Sequence, residues 1–144
     1  MDIRYDRFLL LSTLYDTQLI DLGEGILMEE LTRGQFSDLV RDQPTIAAGN
    51  LTGHTGSGSA FVQITSDAVI VIDLGSGFEI ARWPPSPKDV HLDASRRTGV
   101  TITIAAINPT QILVALRGGE VVYLLWEEDD EGSRLVEAEL SFFF

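Results

Sequence analysis

Cysteine is absent. No disulfide framework can brace the chain, and no zinc site can be built on thiolates. The absence fits a reducing compartment. Basic residues are scarce: 10 Lys and Arg stand against 22 Asp and Glu, a net charge of −12. A surface this acidic repels phosphate backbones and anionic lipid, so neither autonomous nucleic-acid binding nor membrane association is expected. Histidine occurs only as His54 and His91. A metal or hydrolytic site on either would need further converging ligands, or a serine held beside it. Apolar runs are short as well. Ala68 to Ile72 is five residues, far from the ~20 that a membrane-spanning helix needs. The start, Met1 to Arg7 and then Phe8 to Leu11, lacks the apolar core of a signal peptide, so the chain reads as soluble and not secreted.

What is present suits a packed domain. Of the 144 residues, 44% are apolar and 22% charged, the composition of an ordinary globule. That excludes a disordered acidic tail, whose apolar content would be lower. A chain of this length can bury roughly 68–70% of its unfolded surface, enough for a core without staples.

Strand signals dominate. Phe61 to Thr65, Val69 to Ile72, Val100 to Ile104, Ile112 to Leu116 and Val121 to Leu125 are short, mostly rich in β-branched or aromatic residues, and bounded by turn residues. No stretch carries a helical stripe of three turns. The best helical candidate, Gly34 to Asp42, allows one or two turns at most.

The chain also repeats itself. Ile20-Asp21-Leu22-Gly23-Glu24-Gly25 returns as Ile72-Asp73-Leu74-Gly75-Ser76-Gly77, an offset of 52 residues. The flanks follow: Phe8 meets Phe61 with a one-residue slip, and Ile26 to Glu29 meets Phe78 to Ala81. A looser third copy begins at Gln111, with Gly118-Gly119 as its first hairpin turn and Glu127 to Gly132 as its second. Each copy reads as three antiparallel strands. A fourth strand precedes the second copy (Thr45 to Leu51) and the third (Gly99 to Ala106), but not the first.

Four strands per unit and a period near 50 residues point to β-propeller blades. The fold class is therefore all-β: a partial β-propeller of about two and three-quarter blades of four antiparallel strands. The domain division is a single propeller fragment, with a blade part over 7–31 and blades over 45–84 and 99–140. A closed propeller typically needs about 4–8 blades. Partner chains, or the remaining blades of a larger chain, are expected to finish the ring, and a small sandwich is the competing fold. The Phe142-Phe143-Phe144 end, an apolar triplet, favours a piece of a larger chain.

The order of local segments carries a family resemblance. Phe8 to Ser12, Met28-Glu29-Glu30-Leu31, Gly34-Gln35-Phe36 and Gln43 to Asn50 come in sequence, followed by Phe61 to Val69, Trp83-Pro84-Pro85, Gln111 to Leu116 and Gly118 to Leu124. Together they resemble the middle propeller of the large subunit of the damaged-DNA-binding complex. The relatives are the large propeller subunit of splicing factor 3b and the large subunit of the cleavage-and-polyadenylation specificity factor. The likeness covers about residues 7 to 140. Ile70 stands where the family often has arginine, and the 53–59 loop and 86–98 linker are longer than usual.

The resemblance implies a non-catalytic protein-interaction scaffold in the nucleus, and also the cytoplasm. On the damaged-DNA-binding side it implies docking to the cullin 4 arm of a ubiquitin ligase, and so a link to DNA repair. On the other side it implies spliceosomal or mRNA 3′-end-processing partners. Nucleic-acid engagement in the family relies mainly on flanking propellers and a helical domain, which this sequence does not contain.

Local candidates for chemistry are weak. Gly53 to Ser59 lacks the lysine and following helix of a phosphate loop. His91-Leu92-Asp93 with Ser95 has no strand-turn-helix elbow. Asp21 and Asp73 recur in equivalent turns, which suits backbone capping before glycine better than acid-base work. No cofactor and no metal site is expected, and no enzyme. A small-ligand or enzymatic propeller remains as an alternative, and it would need polar residues along the inner strands. Glu127 to Glu131 is five consecutive acids without calcium-loop spacing. It reads as a solvated hairpin loop, or as an acidic docking patch for a basic partner. In the second reading Trp126 is the apolar anchor, and Glu127, Glu128, Asp129 and Asp130 supply the charge. With bare blade faces at its ends, the isolated chain is expected to be marginally stable, self-associating, or both.

Overall fold

The computed structural model describes residues 8–21, 29–30, 36, 38–52, 59–85, 99–129 and 132–138. Among these residues there are eleven strands and no helix. Gly34 to Asp42, where described, makes only a turn, in which Leu39 N–H donates to the Phe36 carbonyl at 3.1 Å. The strands are β1 (Phe8–Ser12), β2 (Thr17–Asp21), β3 (Glu29–Glu30), β4 (Ala47–Thr52), β5 (Ser59–Ile64) and β6 (Val69–Asp73). They continue as β7 (Glu79–Trp83), β8 (Ile102–Asn108), β9 (Gln111–Leu116), β10 (Val121–Asp129) and β11 (Gly132–Ala138).

They form three antiparallel sheets. The first has order β1-β2-β3, the second β4-β5-β6-β7 and the third β8-β9-β10-β11. Each is a meander in which consecutive strands pair. The chain is thus all-β and has the architecture of a partial propeller. The β2 strand ends at Ile20-Asp21 and β6 at Ile72-Asp73. Both are second from one edge of their meander and pair on both sides. The rest of the first Ile-Asp-Leu-Gly segment lies outside the described residues.

The turns follow their residues. Gly118 and Gly119 both take positive φ, and Gly119 N–H closes on the Leu116 carbonyl at 3.0 Å. The second Ile-Asp-Leu-Gly turn closes through Asp73. Its carboxylate accepts from Ser76 N–H at 2.9 Å, and its carbonyl accepts from Gly77 N–H at 2.7 Å. Gly77 has φ 78°, and a Cβ there would stand 2.9 Å from the Phe36 nitrogen. Only glycine allows both that conformation and that approach.

Burial shows how the sheets stack. In β6, Val69, Ile70, Val71 and Ile72 are all buried. Successive side chains of a strand point to opposite faces, so both faces of the second sheet are covered. One face carries Val62, Ile64, Val69, Val71 and Trp83 against Ile112, Val114, Val122, Leu124 and Trp126 of the third sheet. The other carries Phe61, Ile70 and Ile72 against Leu19 and Leu10 of the first sheet, with Phe36 and Leu39 filling the gap. By contrast, β9 alternates: Ile112, Val114 and Leu116 are buried while Leu113 is 38% exposed. One face of the third sheet is therefore bare.

Polar contacts close the seams. Between the second and third sheets, Thr52 N–H donates to the Pro109 carbonyl and Ile102 N–H to the Ser66 carbonyl, both at 2.8 Å. The β4 strand lies beside β8 and β7 beside β11. At the β4–β8 approach a Cβ on Gly49 would sit 3.1 Å from Ile107 Cγ2. At the β7–β11 side the Trp83 indole donates to Glu137 at 3.2 Å.

The seam between the first and second sheets holds the 38–46 connector. Gln63, fully buried, donates through Nε2 to the Val40 carbonyl at 2.8 Å and is within 2.9 Å of Thr45 Oγ1. Its Oε1 accepts from Val40 N–H at 2.9 Å. The Thr17 hydroxyl donates to the Gln43 carbonyl at 2.8 Å, and Thr45 N–H donates to Ser12 Oγ at 2.8 Å.

Candidate functional site

The acidic run is built on a hairpin. The β10–β11 ladder pairs Trp126 with Leu135, Glu127 with Arg134, Glu128 with Ser133 and Asp129 with Gly132. Glu127, Glu128 and Asp129 therefore continue β10, where the sequence suggested a loop. Only residues 130 and 131 separate the two strands, and both lie outside the described residues. The extension has a local cause. Gly132 adopts φ 129°, which lets the chain reverse over two residues, and Arg134 stands opposite the acids. Its guanidinium lies 3.6 Å from the Glu127 carboxylate. Both groups are largely solvated, so the pair contributes about 0–1 kcal/mol.

Glu127 and Glu128, each half-buried, are consecutive in β10 and so lie on opposite faces of the hairpin, Glu128 on the side of Trp126. The side chains of Asp129 and Asp130 are outside the described residues. Trp126 is placed differently from an exposed anchor. It shares the parity of Val122 and Leu124, faces the second sheet and is 2% exposed. Its indole N–H is buried and has no hydrogen-bond partner among the described residues. The tryptophan thus underlies the hairpin from inside the core.

The other sequence candidates fall as follows. Asp73 caps its own turn, as its spacing before glycine suggests; the side chain of Asp21 is outside the described residues. So are His54, His91 to Ser95 and the glycines of the 53–58 loop. Among the described residues, no group of three or more His, Cys, Asp or Glu is arranged to hold a metal ion. No helix among them is long and apolar enough to cross a membrane. On the inner strands, Ala47 and Ala105 pack against the core and Gly49 abuts Ile107. These groups allow close approach of backbones and offer no acid, base or nucleophile.

Two apolar faces are exposed that the sequence did not assign. On the third sheet, Ile104 is 68%, Val121 44% and Leu113 38% exposed. The ladder puts them on one side: Ile104 and Val121 each stand opposite Ala115, and Leu113 opposite Ala106 and Tyr123. On the first sheet, Leu9 and Leu11 are each 41% exposed, opposite Ile20 and Gln18. Strands such as Ile112 to Leu116 are apolar at both parities, so their pattern alone does not tell which face is covered.

The comparisons with known proteins agree with this architecture. Among curated proteins none matches. A family model described as the RSE1/DDB1/CPSF1 second beta-propeller matches residues 2–142. Propellers of that family are non-catalytic protein-interaction scaffolds. Three stacked antiparallel meanders and a match over nearly the whole length lead to one assignment: the chain belongs to the RSE1/DDB1/CPSF1 second beta-propeller family.

Proposed function

We propose that this chain works as a nuclear protein-docking scaffold of the damaged-DNA-binding type, presenting blade edges to the cullin 4 arm of a ubiquitin ligase. It performs no catalysis of its own. The observation that carries the reading is the family match over residues 2–142. The acidic β10–β11 hairpin supplies the charged contact. Glu127 and Glu128, one on each face of the hairpin, supply negative charge to a basic partner surface there, with Asp129 and Asp130 next in the sequence. Buried Trp126 acts beneath them by holding the hairpin against the second sheet, rather than by touching the partner.

The test is a quantitative capture assay with a purified cullin 4 N-terminal region. The native chain is expected to bind saturably. Glu127→Lys with Glu128→Lys is expected to weaken binding several-fold, mainly through a slower on-rate. A folded chain that shows no saturable binding defeats the cullin reading. Binding to a purified helical-repeat spliceosomal protein instead would move the role to RNA processing.

A further inference from the structure

One turn occurs at the same place in the first two sheets and differs in what it carries at its tip. The chain reverses between β1 and β2 over Thr13-Leu14-Tyr15-Asp16, and between β5 and β6 over Thr65-Ser66-Asp67-Ala68. The 52-residue offset relates the two. In the first, Thr13 N–H donates to the Asp16 carbonyl at 2.9 Å, and Thr13 Oγ1 accepts from Tyr15 N–H at 3.1 Å. In the second, Thr65 N–H donates to the Ala68 carbonyl at 3.0 Å, and Thr65 Oγ1 accepts from Asp67 N–H at 3.3 Å. The threonine closes the turn, so the identity of the two tip residues is not needed for it. The third sheet has Gly118-Gly119 at the same positions.

In the first turn the tip is Leu14 and Tyr15, 83% and 82% exposed, the most exposed large apolar side chains among the described residues. The exposure belongs to the position. Ser66 and Asp67 are exposed too, although their sheet is covered on both faces. The tip is also held firmly. Asp16 N–H donates to Thr13 Oγ1 at 3.0 Å, and Thr17 N–H donates to the Arg41 carbonyl at 3.0 Å. A pre-organised pair loses little freedom on binding, and tyrosine joins a large apolar ring to a polar end, the character of an interface anchor. The charged residues tied to this turn are Asp16, Asp42, Asp67 and Arg41, three acids and one base. The carbonyls of Arg41 and Gln43 both accept from Thr17, which brings Asp42 beside the turn, and Gln43 Nε2 donates to Asp67 at 2.9 Å.

We infer that the Leu14-Tyr15 tip docks into an apolar pocket bordered by Lys and Arg on a partner protein. The 13–16, 65–68 and 117–120 turns share one end of the sheets, and the β10–β11 hairpin leaves β10 at the other. The tip is therefore a second surface, independent of the acidic hairpin.

The test puts a photo-crosslinker into the whole chain as Tyr15→p-benzoylphenylalanine, with Ser76→p-benzoylphenylalanine as a control in an exposed turn at the opposite end. Each is irradiated in an extract of the cells that make the protein. The label at position 15 is expected to join a partner protein through a peptide that lines an apolar pocket with basic residues at its mouth, and the label at position 76 is not.

The purified partner is then titrated with the native chain. Leu14→Ser with Tyr15→Asp gives the first turn the tip of the second, and it is expected to weaken binding about tenfold or more. The added carboxylate favours a basic rim, so this loss reads the apolar contact. Asp42→Lys is expected to weaken binding several-fold through a slower on-rate, and added salt to weaken the native complex. Far-UV circular dichroism checks folding, and Tyr15→Ser alone replaces the double variant if that unfolds. The inference is overturned if position 15 joins no protein that position 76 does not, or joins a lipid or a second copy instead. It is overturned equally by a contacted pocket without a basic rim, by unchanged affinity of the tip variant, or by binding that salt leaves unaffected.

Discussion

Gln63 is the most consequential polar side chain of the molecule, and its replacement by leucine tests how the first two sheets are joined. The side chain is 0% exposed and makes contacts at 2.8, 2.9 and 2.9 Å with Val40 and Thr45. Leucine fills a similar volume but returns none of these bonds. Thr45 Oγ1 keeps a partner, because Thr17 Oγ1 lies 2.6 Å away. The Val40 N–H and C=O lose theirs. An unsatisfied buried polar group costs roughly 1–3 kcal/mol, so two cost about 2–6 kcal/mol.

The extra apolar burial of leucine offsets about 1–2 kcal/mol of that. The two ranges leave about 0–5 kcal/mol, and the middle of that span, about 2–3 kcal/mol, is the expected net loss. For a chain of this length that is a fall in Tm of about 6–12 °C. Urea titration followed by circular dichroism reads the loss directly, at one protein concentration so that association does not enter the comparison. Thr45→Val, alone and combined with Gln63→Leu, completes a double-mutant cycle with an expected coupling of about 0.5–3 kcal/mol. A Gln63→Leu change within about 0.5 kcal/mol of the native chain would refute the reasoning, since surface substitutions do no more than that.

Three further substitutions separate backbone strain and close packing from surface charge. Gly77→Ala forces an alanine to φ 78° and drives its Cβ to 2.9 Å from the Phe36 nitrogen; urea titration should show a loss of about 1–3 kcal/mol. Ile64→Ala, in the sealed space between the second and third sheets, should cost about 2–5 kcal/mol. Arg82→Ala, which removes a 2.8 Å ion pair with Glu79 at the surface, should stay within about 1 kcal/mol in the same titration. Equal effects from Ile64→Ala and Arg82→Ala would contradict the placement of the core.

The strands and hairpins were legible because their signals are local. Gly118-Gly119 announces its turn by permitting positive φ, and Val69 to Ile72 announces a strand covered on both faces by having no polar parity. The Ile112 to Leu116 run looks the same in sequence, yet Leu113 is exposed and Ala115 only partly buried. Coverage depends on what stands next to the sheet, and that is a property of neighbours rather than of the run.

The parity of Trp126 was hidden for the same reason, since Val121 to Trp126 is apolar at every position. Only the ladder, with Trp126 opposite Leu135, assigns its side. Charge suggests solvent, so from sequence the acidic run reads as a loop. Its strand character comes from Arg134 and Ser133 across the hairpin, several residues away. The docking of Phe36 over Gly77 joins positions 41 residues apart, and no local pattern marks it.

The contrast between Gly49 at one edge of the second sheet and Trp83 at the other has a geometric consequence. Slim side chains at one margin and a bulky one at the other turn a flat slab into a wedge, as a mason tapers the stones of an arch. The difference in side-chain volume across the sheet then contributes to the angle between adjacent slabs. A chain built this way stores its curvature in amino-acid size. Exchanging bulk between those two margins would straighten the arch while every strand stayed paired.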